Sequence, residues 1–242
     1  HKPLHQYSLF DSLHHLKPRI LRQLLWVGGP IGIAAVLEYG LYLTASFFMG
    51  ALGTPILAAH QVVSQTVLVL FMVPLAMSYA ATVRVGQWFG QRHWPQVRQA
   101  ALVSIGLAVL FMLTAGIALL AYPQQIIGLY LDLNDPANGE ALNVGISIMK
   151  IAAFGLVLDG LQRTANGVLQ GLQDTRIPMV LGTIAYWGIG LTASYLLGFY
   201  TPLSGAGVWI GTYIGLAAAS IAYLWRFQKV MVRKKSLPVA RS

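Results

Sequence analysis

Two long runs without a charged side chain constrain this chain more than any other feature. No Asp, Glu, Lys or Arg occurs within residues 39–83, or again within 177–225. A helix needs about 20 apolar residues to cross a bilayer, so each run holds two crossings with a turn between them. The whole chain is 10% charged, where soluble domains average about 25%. A polytopic membrane protein follows. The net charge of +9 would suit nucleic acid, but the basic residues sit at the ends of the apolar segments, which points away from that partner. With no cysteine, disulfide frameworks and thiolate metal sites are excluded.

The apolar segments predict six spans, at about 24–49, 56–80, 100–122, 142–168, 177–198 and 208–225. The fold class expected is all-α, a six-transmembrane-helix bundle. Three parts are expected: a linker over 1–22, a six-helix lobe over 23–226 and a basic tail over 227–242. Pro18 suits the first turn of a helix, predicting a short surface helix that leads into the membrane. Pro74 should kink or loosen the second span. The stretch PQQIIGLYLDLNDPANGE predicts a short amphipathic piece at the interface. His1, His5, His14 and His15 lack acidic or thiol co-ligands and read as linker rather than a metal cluster. No cleavable signal peptide is visible, and a start at His1 suggests a fragment or processed chain.

Alternate loops are basic: the N-terminal segment, the loop with Arg84, Arg92 and Arg98, the loop with Arg176, and the tail. The others are neutral or acidic. Under the positive-inside rule both ends of this segment are cytoplasmic, in the plasma (inner) membrane with lipid around the bundle.

Charge inside a span is costly and marks function or pairing. Glu38 shares its predicted helix face with Ala34, Ala35, Tyr42 and Ala45. Small residues permit close helix approach, so Glu38 should point into the bundle. Asp159, Arg163, Asn166 and Gln170 recur at steps of four, three and four, one polar stripe with Gln162 beside it. Two readings stay open for that stripe. Asp159 and Arg163 are at ideal spacing for an intrahelical pair, or Asp159 works with Glu38 on a cation. A buried carboxylate can take up a proton, or when ionised can ligate Na⁺ together with carbonyl and hydroxyl oxygens. Lys150 falls on the opposite side of the helix from Asp159 and should snorkel to the outer interface.

The segments GGPIGIAAVLEYGLY, MGALGTPILAAHQV, VPLAMSYAATVRVGQWFG, LDGLQRTANGVLQGLQDT and YWGIGL with SYLLGF resemble, in order and spacing, the C-terminal half of the multidrug and toxic compound extrusion (MATE) family, most closely its NorM-type branch. The resemblance implies one lobe of a twelve-helix secondary antiporter that expels organic cations and drugs in exchange for Na⁺ or H⁺, with an N-terminal six-helix lobe as partner. It implies cation binding at Glu38 and Asp159. One departure is Gly155, where such members can carry a tyrosine; Tyr39 and Tyr42 are candidates for a replacement hydroxyl, and Gln162, Arg163 and Asn166 for polar support. His60, Gln61, Arg84 and Gly86 also match family patterns, and helix packing is the expected role for them.

The expected function is therefore cation-coupled multidrug efflux by alternating access, with no cofactor beyond the coupling ion and no enzymatic activity. No H-E-x-x-H metalloprotease motif is present. Two alternatives stand beside it: a flippase of related architecture for lipid-linked or amphipathic substrates, and a half-length membrane subunit that does not transport alone.

Overall fold

Inside a bilayer, backbone polar groups have no water to pair with, and a single crossing segment satisfies them by being helical. The computed structural model describes residues 18–133 and 135–235, with no strand among them. The helices in order are α1 (Pro18–Leu52), α2 (Thr54–Gly90), α3 (Trp94–Ala121), α4 (Pro123–Ile127), a 3-10 turn (Pro136–Asn138), α5 (Gly139–Gly171), α6 (Arg176–Thr183), a π-helical segment (Ile184–Gly190), α7 (Leu191–Phe199) and α8 (Ser204–Lys235). From α6 through α7 the chain is one continuous span, so six helices are long and apolar enough to cross a membrane.

The helices outrun the apolar segments that predict them, because hydropathy reads only the part in lipid. Instead of a separate surface helix, α1 is a single helix from Pro18 through Leu52; residues 1–17, with the four N-terminal histidines, lie outside the described region. The basic loop expected around Arg84, Arg92 and Arg98 shrinks to 91–93, since α2 carries Arg84 on its exposed end and α3 already holds Arg98. At the opposite end of α1 the connection is Gly53 alone, at φ 139°, a backbone region that only glycine adopts freely. α2 continues through buried Pro74. The interfacial piece after α3 is a helix of five residues, ending before Gly128, with Leu129, Tyr130 and Leu133 exposed. α8 extends past the expected end of the lobe to Lys235, and residues 236–242 are outside the described region.

α5 is the centre of the bundle, packed against α2, α3 and α8. Without a hydrophobic force between helices in lipid, small residues and side-chain to backbone hydrogen bonds hold them together. Along the α2–α5 seam, Ser78 Oγ donates to the Arg163 carbonyl at 3.0 Å and Thr82 Oγ1 to the Gly167 carbonyl at 2.8 Å. A side chain at 167 would strike Ser78, and one at 171 would lie 2.7 Å from the Thr82 carbonyl. The π-helical segment meets α8 in the same way, with Gly190 against Gly215. Beyond the membrane-crossing contacts, Arg226 Nε holds Asp174 Oδ2 at 2.5 Å and ties α8 to the α5–α6 turn. Lys150 is exposed on the outside of α5.

This seam generates a test of the packing. Gly167→Leu should overpack α2 against α5 and destabilise the protein by at least ~1–3 kcal/mol. Thermal melting in detergent measures the loss, and Gly139→Leu, where a side chain meets open space, should melt close to the parent.

Candidate functional site

α1, α2, α5 and α8 surround a cavity of about 330 Å³. α1 contributes Glu38, Tyr42 and Ser46. α2 brings His60, Ser64 and Phe71, α5 brings Asp159 and Arg163, and α8 brings Trp209, Thr212 and Tyr213. The two carboxylates singled out from the sequence thus reach one wall from different helices. Glu38 is 9% exposed and Asp159 2%.

Arg163 does not pair within its own helix. Its Nη1 donates to Glu38 Oε2 at 3.0 Å, linking α5 to α1, and its guanidinium lies 5.6 Å from the centroid of Phe71. Asp159 instead accepts the Tyr42 hydroxyl on Oδ1 at 3.3 Å. Among the described residues no ion pair joins Asp159 to Arg163. The i,i+4 reading of that stripe is therefore corrected. Spacing allows the pair, but the long guanidinium stem reaches an acid on the facing helix, and a phenol from that same helix takes Asp159. The cavity wall holds two carboxylates and one guanidinium, so one acid has no cationic partner there.

The predicted supporting residues divide. Tyr42 and Arg163 line the cavity, as does the more exposed Tyr39. Gln162 and Asn166 are buried on the other side. Gln162 Nε2 donates to the Tyr186 hydroxyl, which lies 3.4 Å from that of Tyr223. Asn166, Tyr186 and Tyr223 share a small cleft with Glu38. The π-helical segment sets this up: its extra residue per turn turns Tyr186 inward while Trp187 Nε1 donates to the Leu37 carbonyl at 3.0 Å, one residue from Glu38.

His60 was expected to serve packing, and it is part of the cavity wall. The Trp209 indole donates to His60 Nδ1 at 3.1 Å. An indole N–H only donates, so the imidazole proton sits on Nε2, 2.9 Å from Ser46 Oγ. The imidazole thereby holds the Trp209 ring at the edge of the cavity. Gln61 lines it as well, whereas Arg84 is exposed and Gly86 packs against Gly171.

Residues on α8 were missed from sequence. Trp209, Tyr213, Leu216 and Ser220 recur on one helix face and are all buried; that spacing was the available signal, but aromatic and polar residues at helical spacing usually mean core. Tyr213 has a particular relation to Gly155. A side chain at 155 would run into the Tyr213 ring, which occupies that space. The Tyr213 hydroxyl is buried and has no hydrogen-bond partner, a state that costs about 1–3 kcal/mol.

Because Glu38 is buried and Arg163 half-buried, the pair should be unequal to its parts. Arg163→Met leaves an uncompensated buried acid and should cost about 3–5 kcal/mol. Glu38→Gln combined with Arg163→Met should be much less damaging than the two single effects summed. Chemical unfolding in detergent of both single variants and the double variant reads this coupling directly.

The family model MatE matches residues 30–196. A probable multidrug resistance protein NorM of Synechocystis sp. is 99% identical over the whole of this chain, which covers 52% of that protein. A probable multidrug resistance protein NorM of Synechococcus sp. is 44% identical over 94% of this chain and 49% of its own length. The chain spans about half the length of the curated relatives it matches. A crystal structure of MATE in the straight conformation superposes with a TM-score of 0.82 at 20% identity, over 92% of this chain and 49% of that one; this likeness is one of fold.

Proposed function

The chain belongs to the MatE family, and from that premise we propose that it is the carboxy-terminal six-helix lobe of a twelve-helix, cation-coupled antiporter that exports organic cations and drugs. One observation carries the reading: Glu38 and Asp159, on different helices, face one membrane-embedded cavity that holds a single guanidinium. Acids placed so deep in a bilayer are expensive unless used.

Glu38 and Asp159 are the coupling residues. A Na⁺ or H⁺ that reaches them competes with the Arg163 guanidinium for Glu38 and with the Tyr42 hydroxyl for Asp159. Each of those contacts bridges α1 to α5, so binding changes the forces that hold the two helices together. A ligand with different affinity for two arrangements shifts the population between them, and this is how ion binding is converted into movement of the lobe. Substrate occupies the same cavity. Phe71, Tyr42, Trp209 and Tyr213 supply ring faces, which attract organic cations, and the acid in excess of the guanidinium attracts positive charge. The same balance weighs against an anionic lipid headgroup, the substrate a flippase would take.

The second wall comes from an amino-terminal lobe. α1 turns large apolar side chains away from this bundle, Val36 at 71% and Phe47 at 77% exposed, a surface suited to lipid or to that partner. Alternate basic loops support a plasma-membrane protein with both ends of this segment on the cytoplasmic side. The 1–22 stretch, whose last residues begin α1, then joins the lobes, and 227–242 is a cytoplasmic end that α8 enters as far as Lys235.

The test uses the complete two-lobe transporter in vesicles with imposed Na⁺ or H⁺ gradients. Glu38→Gln and Asp159→Asn should each abolish gradient-driven efflux of a lipophilic organic cation while membrane insertion stays at the parental level. Efflux at the parental rate in both variants would sink the reading.

A further inference from the structure

We propose that the Tyr213 hydroxyl is a neutral oxygen ligand for the coupling cation, held beside Asp159 because Gly155 leaves room for its ring, and that the cation it serves is Na⁺. The inference rests on the reading above that Asp159 binds the coupling ion.

Gly155 and Asp159 are one helical turn apart on the same face of α5. The tip of the Tyr213 phenol, from α8, fills the space that any side chain at 155 would enter. The ring is therefore seated by the absence of a Cβ one turn from Asp159, and Tyr213 shares a cavity with that carboxylate. Tyr213 is 8% exposed, and its oxygen has no hydrogen-bond partner although it is buried. Native structures satisfy buried polar atoms, and an orphan calls for an explanation, an absent ion among them. Tyr213 and Asp159 line the same cavity. From the other side the Tyr42 hydroxyl approaches Asp159 at 3.3 Å. Asp159 thus shares its cavity with two phenols from two different helices, one of them in hydrogen-bond reach, and the neighbouring guanidinium is occupied by Glu38.

This arrangement distinguishes between coupling ions. A proton needs only one carboxylate oxygen and gains nothing from a phenol held without a partner. A hard metal cation takes several oxygen ligands at once, and phenol oxygens supply lone pairs without adding charge. The carboxylate provides the attraction, and Tyr42 and Tyr213 fill the coordination shell. Since Tyr213 stands on α8 and Tyr42 on α1, the ion would join three helices at a single point.

The experiment uses the complete transporter in proteoliposomes, with ethidium as the organic cation and Na⁺ alone as the binding probe. Tyr213→Phe should raise the Na⁺ concentration for half-maximal efflux about tenfold, and weaken binding of radioactive Na⁺ to match, as expected for one lost ligand. The KM for ethidium at saturating Na⁺ is read in the same variant, because a ring that acts only as drug wall shifts that KM and leaves the Na⁺ dependence intact. Gly155→Ala displaces the same ring and should shift the Na⁺ dependence in the same direction, with the double variant no worse than the more affected single one. If Gly155→Ala fails to fold, Tyr213→Phe, which removes only an unpaired oxygen, decides alone, with its melting temperature as the control.

An unchanged Na⁺ dependence in Tyr213→Phe overturns the proposal. So does a higher KM for ethidium with the Na⁺ dependence intact, which makes Tyr213 a wall of the drug site. So does parental efflux driven by a pH gradient without any Na⁺ binding. In each of those cases, loss of coupled efflux in Asp159→Asn leaves the carboxylate reading standing, and retained efflux in both Asp159→Asn and Glu38→Gln removes it as well.

Discussion

A guanidinium and a carboxylate meet at 3.0 Å between two helices in the interior of a membrane bundle, and much of the structure exists around that contact. Neither charge is stable there by itself. Their union requires α1 and α5 to stay in register. The Tyr42–Asp159 hydrogen bond and the Trp187 bond to the carbonyl before Glu38 hold the same register from either side. The extra turn residue of the π-helical segment is what brings Trp187 and Tyr186 to that position. π-bulges of this kind gather at functional sites, and this one lines the small cleft that Glu38 shares with Tyr186.

The rest of the bundle divides into a stiff part and a part with few attachments. α5 is locked to α2 by small residues and hydroxyl bonds to carbonyls, and α8 is locked to the π-helical segment and α7 by glycine contacts and the Ser194 bond to Val208. α1 has no comparable seam. Its outer side is exposed; its inner side packs Leu41, Ala45 and Met49 into the core and adds polar contacts to Arg163, Asp159 and Trp187. Those are the contacts an arriving cation would disturb. The polar contacts that respond to charge therefore add to the apolar packing that fastens α1.

The cavity combines two demands that usually conflict. Under the proposed function it has to be wet enough for an ion and apolar enough for a drug. Here acids and hydroxyls cluster around Asp159 and Glu38, while the rings of Phe71, Trp209 and Tyr213 form the remaining wall. His60 belongs to neither set. It spends both ring nitrogens on structure, accepting from Trp209 and facing Ser46, and so fixes a ring face without bringing charge into the cavity.

The number of crossings, the all-helical class and the inward direction of Glu38 were legible from the chain alone. Charge-free runs, small-residue faces and the positions of basic residues follow directly from the cost of polar groups in lipid, and that cost depends on local sequence. Glu38, Asp159 and Tyr42 were visible because each is conspicuous in an apolar helix. Three things depended on the tertiary structure. Arg163 could pair forward in its own helix or across to α1, and only the packing distance between helices chose Glu38. Trp209 and Tyr213 carry no local signal that separates them from core residues, and only α8 set beside α5 places them on the cavity. Gly155 read as a missing side chain until the ring from another helix was found in its place. In each case the deciding quantity is a contact between residues far apart in the chain, which no local pattern encodes.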